Sequence, residues 1–247
     1  MAAAAYDRFM GRYSIQLSPQ LADFAGVRAG HRLLDVGCGP GALTAELAAR
    51  VGASAVAAVD PSESFVAAAR ERNPGVEVVR AGAESLPFAD RTFDATLAQL
   101  VVRFLAEPRL GLTEMARVTR RGGIVAACVW DHRGHGPLSA FWQAACELDP
   151  AVDDESGLPG VREGHLAELL EASGLQAVES TELWANLEHA TFDAWWEPFT
   201  MGVGPAGAYL ATLGSDQQAE LRERCRASLP ATPFVVSARA WAVRGLV

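Results

Sequence analysis

Asp35, Gly37, Gly39 and Gly41 fall at alternate positions in LLDVGCGPGALT, residues 33–44, and this spacing has chemical content. Leu33, Leu34 and Val36 make a short apolar strand, and Leu43, Ala45, Leu47 and Ala48 suit a helix that follows at once. The three glycines between them strip side chains from one face of the turn. A ligand can then reach bare backbone and meet free N–H groups at a helix N-terminus, which makes the loop a cradle for a nucleotide cofactor. Gly37, Gly39 and Ala42 satisfy the loose G-x-G-x-x-G/A pattern of dinucleotide sites. Asp60 closes the next strand about twenty residues on, where a carboxylate can accept both ribose hydroxyls or cap the helix begun at Pro61. Asp35 narrows the choice, because an acid two residues ahead of the first glycine repels a pyrophosphate and suits a cation.

The run D-x-G-x-G-x-G resembles the first motif of the class I S-adenosylmethionine (SAM) dependent methyltransferases. AESLPFADRTFD, residues 83–94, is similar to the adenine-side loop of the type 11, UbiE-like members, and EMARVTRRGGIV, residues 114–125, to their fifth-strand entrance. The likeness is close over residues 33–130 and faint outside them. It implies SAM as cofactor and S-adenosylhomocysteine (SAH) as product. Asp35 would order the loop and face the methionyl end, with Gly37, Cys38 and Gly39 beneath it and Asp60 and Pro61 at the ribose. Ala83 and Glu84 would flank adenine, and Gln99, at the carboxyl end of the fourth strand, would sit beside the methyl group. Gly82 stands where many members carry aspartate, so an adenine hydrogen bond must come from backbone or from Glu84. In such proteins the N-terminal segment folds over the cofactor, which would let Arg12 pair with the methionyl carboxylate. A surface arginine packing its stem is the alternative.

The chemistry then expected is in-line methyl transfer, in which positioning outweighs acid–base work and a base is needed only for a neutral acceptor. His132 and His135 in DHRGHGP are the base candidates, because a loop after the fifth strand can reach the same crevice; exposed loop histidines are the alternative. Trp130, Trp142, Trp195 and Trp196 are the candidate acceptor pocket, since aromatic faces bind flat apolar molecules and tolerate a sulfonium, and packing within a lid is the competing reading. Two rival functions fit part of the pattern. An NAD(P)-dependent oxidoreductase explains the glycines and Asp60 but not Asp35 or the ESLPF loop, and a non-catalytic SAM-binding regulator shares the whole binding motif.

Composition removes other classes. The 247 residues carry a net charge of −9, which argues against nucleic acid or an anionic membrane as partner and leaves a small-molecule acceptor. Lysine is absent, so no Walker lysine, pyridoxal-phosphate Schiff base or Tyr/Lys dehydrogenase pair can be assembled. Cys38, Cys128, Cys146 and Cys225 lack metal-ligand or disulfide spacing. No signal sequence or bilayer-length apolar run is read in the chain, so a cytoplasmic monomer or homodimer is expected.

These residues need a scaffold, and from Arg32 the pattern alternates strand and helix five times before two further strands. The expectation is a single α/β domain with a doubly wound, Rossmann-like, seven-stranded sheet, its last strand antiparallel, and a helical lid insertion. Residues 1–26 are cap helices, 27–130 the cofactor core, 131–190 the completion of the sheet, 191–229 the lid and 230–247 the last strand.

Overall fold

The computed structural model describes residues 6–132, 134–202 and 204–247. Leu33–Val36 (β1) and Val56–Asp60 (β2) are buried at every position, as parallel strands covered on both faces must be. With Glu77–Arg80 (β3), Phe93–Gln99 (β4), Thr119–Trp130 (β5), Gln176–His189 (β6) and Phe234–Leu246 (β7), they form one sheet of order β3-β2-β1-β4-β5-β7-β6. β7 alone runs antiparallel, slotted between β5 and β6, with Trp241 opposite both Val129 and Glu182. The expected seven strands and antiparallel last strand are therefore present, and β6 takes the edge. It runs from Gln176 to His189, which it carries to the end of the sheet where β1, β4 and β5 also finish.

Alternation along β1 sends Leu33 to one face and Leu34 and Val36 to the other. Leu33 packs with Leu17 and Leu21 of Arg12–Phe24 (α1) and with Leu43 and Leu47 of Ala42–Val51 (α2). Glu63–Arg72 (α3) follows β2. The opposite face is covered by Leu112 and Met115 of Pro108–Val118 (α4) and, beyond Ser139–Leu148 (α5), by Leu166 and Leu170 of His165–Ala172 (α6). A π-helical turn, Asp7–Gly11, leads directly into α1. The strand order reverses direction between β1 and β4, and their carboxyl ends open the crevice in which such sheets bind ligands.

Phe192–Thr200 (α7), Gly204–Thr212 (α8) and Ser215–Ser228 (α9) occupy the stretch expected as a lid. They share a separate apolar cluster with α5, in which Phe141 stacks on Phe199 at 4.6 Å. Among the described residues no helix is long and apolar enough to cross a membrane.

The ESLPF loop has no regular structure of its own and is held from behind by α4. Arg117 donates to Phe88 O at 2.9 Å and Leu86 O at 3.0 Å, while Glu114 accepts the Leu86 N–H at 3.0 Å. Charge-assisted bonds to otherwise free backbone groups are what give this loop a fixed shape. Arg117→Ala should accelerate amide hydrogen exchange across residues 85–91 at least about tenfold, as expected for bonds worth about 1.5–3 kcal/mol, with little change in β4.

Candidate active site

The glycine loop is clamped to the neighbouring strand by Gly37 N–H and Cys38 N–H, which both donate to Val59 O, at 2.8 and 2.9 Å. The glycines serve different ends. A Cβ on Gly37 would lie 2.5 Å from the Val101 side chain, and one on Gly41 would collide with the Asn73 amide. One on Gly39 would meet nothing within 4 Å, so that position opens onto free space. Behind the loop, Thr44 Oγ1 donates to Asp35 Oδ2 at 2.6 Å and ties the first turn of α2 to β1. In front of it, Asp60 accepts the Gly39 N–H at 2.9 Å on one carboxylate oxygen and the Ser62 N–H at 2.8 Å on the other.

Over this loop lies a cavity of about 440 Å³ at the carboxyl ends of β1, β2 and β4. Gly37, Gly39, Asp60, Pro61, Ala83, Glu84 and Gln99 line it, so residues from the carboxyl ends of four successive strands come together in one space. Asp35 and Cys38 sit beneath the loop instead of on the cavity wall, and Arg12 is exposed on α1, turned toward α7. The rest of the wall, notably Tyr6, Phe65, Leu100, Val101 and Phe104, carried no signal in the sequence beyond apolar spacing. Tyr6 meets Phe65 edge-to-face at 5.7 Å and closes one side. Leu100 adopts φ +64°, a left-handed conformation unfavourable for a γ-branched side chain, at the point where β4 turns away from the cavity.

The electrostatics of the site are one-signed. Asp60 and Glu84 are the charged residues of the wall. Among the described residues two buried oxygens, Asp35 Oδ1 and Gln99 Oε1, have no hydrogen-bond partner, although Gln99 Nε2 donates to Ser14 O of α1 at 3.1 Å. Burial pushes the Asp35 carboxyl up to about 7 against the Thr44 hydrogen bond, and the nearby Asp60 charge adds to the rise. Burial also raises Asp60, although its two backbone bonds oppose the shift. The Cys38 thiol is driven up by burial and by both carboxylates, so it stays protonated and is no nucleophile. Among the described residues the wall carries two carboxylates and no cation, which fits a positively charged nucleoside and opposes a pyrophosphate.

The remaining sequence candidates are not drawn to this cavity. His132 is 7% exposed, its Nε2 is bonded to Asp154 O, and burial holds it below the usual imidazole range. His135 is exposed against Trp184, its loop pinned by Asp131, which accepts the Gly134 and His135 N–H groups and the Arg239 guanidinium. Trp142, Trp195 and Trp196 are buried in the cluster between α5 and α7, and Trp130 packs edge-to-face on Tyr13 at 6.0 Å. The polar stretch 149–164 hides a feature the sequence did not announce. Glu155 is buried in it and accepts from Arg103 at 2.5 Å, while Arg103 lies over the ring of the wall residue Phe104 at 4.4 Å.

Residues 34–127 match the family model described as a methyltransferase domain. The chain is 32% identical over 151 residues to a demethylmenaquinone methyltransferase of Renibacterium salmoninarum, covering 61% of this chain and 63% of that one. It is 36% identical over 153 residues to a phosphatidylethanolamine N-methyltransferase of Cereibacter sphaeroides, covering 59% and 73%. An N-methyltransferase of Haemonchus contortus, solved with phosphomonomethylethanolamine and S-adenosylhomocysteine, superposes with a TM-score of 0.62 at 17% identity, covering 99% of this chain and 56% of that one. The chain spans 63% and 54% of the first curated relatives it matches. Fold, glycine loop and relatives agree, and the chain belongs to the class I SAM-dependent methyltransferases of type 11.

The raised Asp35 carboxyl has a consequence for stability. The folded chain keeps a proton there that the unfolded chain releases near 3.8, so stability contributed at low pH is lost as pH rises toward about 7 and then levels off. The full shift corresponds to something on the order of 4 kcal/mol. Urea unfolding of wild type and Asp35→Asn, followed from about pH 4.5 to 7.5, should give a difference that grows against wild type across this window. A constant difference would show that Asp35 does not hold the proton.

Proposed function

We propose that the protein transfers the methyl group of SAM to a small-molecule acceptor by in-line displacement at the cavity over the glycine loop. The observation that carries this reading is the charge of that cavity. Among the described residues its wall carries Asp60 and Glu84 without a cation, and two buried oxygens beside it lack partners. A nucleoside with a sulfonium and an ammonium group suits such a site, whereas the pyrophosphate of a nicotinamide cofactor does not.

The residues divide the work by position. Each Asp60 oxygen keeps a second lone pair after accepting its backbone N–H, so this carboxylate would hold the ribose hydroxyls, with Pro61 beside it. Ala83 and Glu84 would flank the adenine. Gly37 and Gly39 would offer backbone to the methionyl part, with Cys38 shaping the loop under it. Gln99, fixed by its bond to α1, would orient the reacting end. When bound, SAM supplies a methyl group already activated on sulfur. The chain then has to hold the acceptor in line and keep water out, and orientation of this kind supplies on the order of 7–11 kcal/mol. Tyr6 and Phe65 close one side of the space, and the helices of residues 191–229 would act as the lid.

The two relatives are named for different acceptors, demethylmenaquinone and phosphatidylethanolamine, which supports methyl transfer as the shared step and leaves the acceptor to this chain's own surfaces. The net charge of −9 favours a small molecule over nucleic acid.

Thermal unfolding with SAH and with NADH separates the methyltransferase from the oxidoreductase. SAH at about 100 times its Kd should stabilise the protein by about 2.7 kcal/mol, and NADH should leave the midpoint unchanged. Asp60→Ala should weaken SAH binding by about 1–3 kcal/mol in calorimetry, with circular dichroism confirming that the variant is folded. Saturation by NADH without any response to SAH would sink the proposal.

A further inference from the structure

Arg12 leaves the cofactor cavity for a second space. With Arg8, Ala194, Glu197, Pro198 and Met201 it lines a cleft of about 250 Å³ between the start of α1 and α7. Arg8, Arg12 and Pro198 also line a constriction of about 10 Å³ at its inner end, whose other polar groups are Tyr13 and His189. That volume is about what one water molecule or one ligand oxygen needs.

Two independent observations point to a ligand here. At the floor, Tyr13 and His189 are 3% and 5% exposed and meet at 3.4 Å through Tyr13 Oη and His189 Nε2, yet the buried His189 Nδ1 has no partner among the described residues. Whichever tautomer the imidazole takes, one of its two nitrogens is left without the bond that burial demands. At the rim, Arg12 makes no ion pair among the described residues, and Arg8 reaches Glu197 only at 3.9 Å with both side chains about two-thirds exposed. Two arginines against one glutamate leave a positive excess on a chain whose net charge is −9. The Arg12 charge is felt at the floor: after burial, it is the second cause holding His189 down to about 4, and it opposes the upward push of burial on Tyr13.

This space adjoins the cofactor cavity. β6 runs in the same direction as β5, so His189 emerges at the sheet end that also carries Gln99 and Trp130. Gln99 lines the cofactor cavity and donates to Ser14 O, the residue after Tyr13, while Trp130 packs against the Tyr13 ring. Adjacent residues of α1, Tyr13 and Ser14, therefore link the two spaces.

Resting on the methyltransferase reading, we infer that the cleft between α1 and α7 holds the anionic end of the acceptor, a small molecule with an apolar body and a carboxylate or phosphate group whose reacting end extends past Tyr13 to the cofactor cavity. Arg8 and Arg12 hold the anionic group in their planar forks, Pro198 and Met201 cover the apolar body, and a polar atom of the ligand, or one water it carries, completes the bonding of His189 Nδ1. Arg12 is thus a specificity residue for the acceptor and not a cofactor ligand.

The full chain, saturated with SAH and labelled with 15N-histidine, is titrated with benzoate, phenyl phosphate and neutral benzamide; His189→Gln identifies the imidazole signals. The expected result is saturable binding of at least one anion with a shift of the His189 signals, benzamide at least tenfold weaker, and a loss of at least tenfold in anion affinity in Arg12→Ala with SAH affinity unchanged. Whichever of benzoate or phenyl phosphate binds more tightly assigns the anion. Equal binding of benzamide, anion binding indifferent to Arg12→Ala, or no response at His189 would overturn the inference. Loss of SAH affinity in Arg12→Ala would overturn it as well, by returning Arg12 to the cofactor. If wild type takes up no SAH, the methyltransferase reading fails first, and the same titration on the unliganded chain still decides whether the anion site exists.

Discussion

Two backbone amides from two different connections converge on one carboxylate, and the geometry of the site depends on it. Gly39 N–H comes from the loop after β1, Ser62 N–H from the loop after β2, and Asp60 accepts both. A carboxylate 6% exposed is costly to desolvate, and the two amides offset that cost by bonding its charged form. The floor of the cavity is therefore set by a short polar bridge between adjacent parallel strands and not by side-chain packing. The glycines are a condition of this bridge, because the loop can bring Gly39 to Asp60 only if Gly37 passes close to Val101 and Gly41 close to Asn73.

Around that bridge the charges are arranged asymmetrically. Acids and spare acceptors gather at the glycine loop, the two arginines of the N-terminal segment stand on the far side of α1, and the buried Arg103–Glu155 pair is internally neutral next to the wall. Negative and positive charge are thus kept on different sides of α1. Gln99 joins the two regions mechanically, since its side chain lies at the cavity and its amide holds the backbone of α1 beside Tyr13.

The aromatic residues play a different part from the polar ones. Phe141, Trp195 and Phe199 fill the space between α5 and α7, with ring separations of 4.6 and 4.9 Å, and give the 191–229 helices a core of their own. This makes the segment a packed unit resting on the sheet domain through Phe9 and the start of α1. Its helix α7 walls the second cleft.

The placing of Asp60, Ala83, Glu84 and Gln99 on one wall was implied by the family resemblance, and the sequence by itself determined the strands, their alternation of faces and the glycine loop. These depend on backbone conformation and short-range periodicity, which a run of seven residues such as Asp35 to Gly41 specifies locally. Only the tertiary structure decided which way Arg12 points, that His132 is buried against Asp154, that Glu155 pairs with Arg103, and that His189 meets Tyr13 across 176 positions of chain. Those outcomes follow from how far α1 and α7 are rotated about their axes and from where β7 inserts beside β5. Both are settled by apolar contacts between segments distant in sequence, and residue spacing within any one segment holds no record of them.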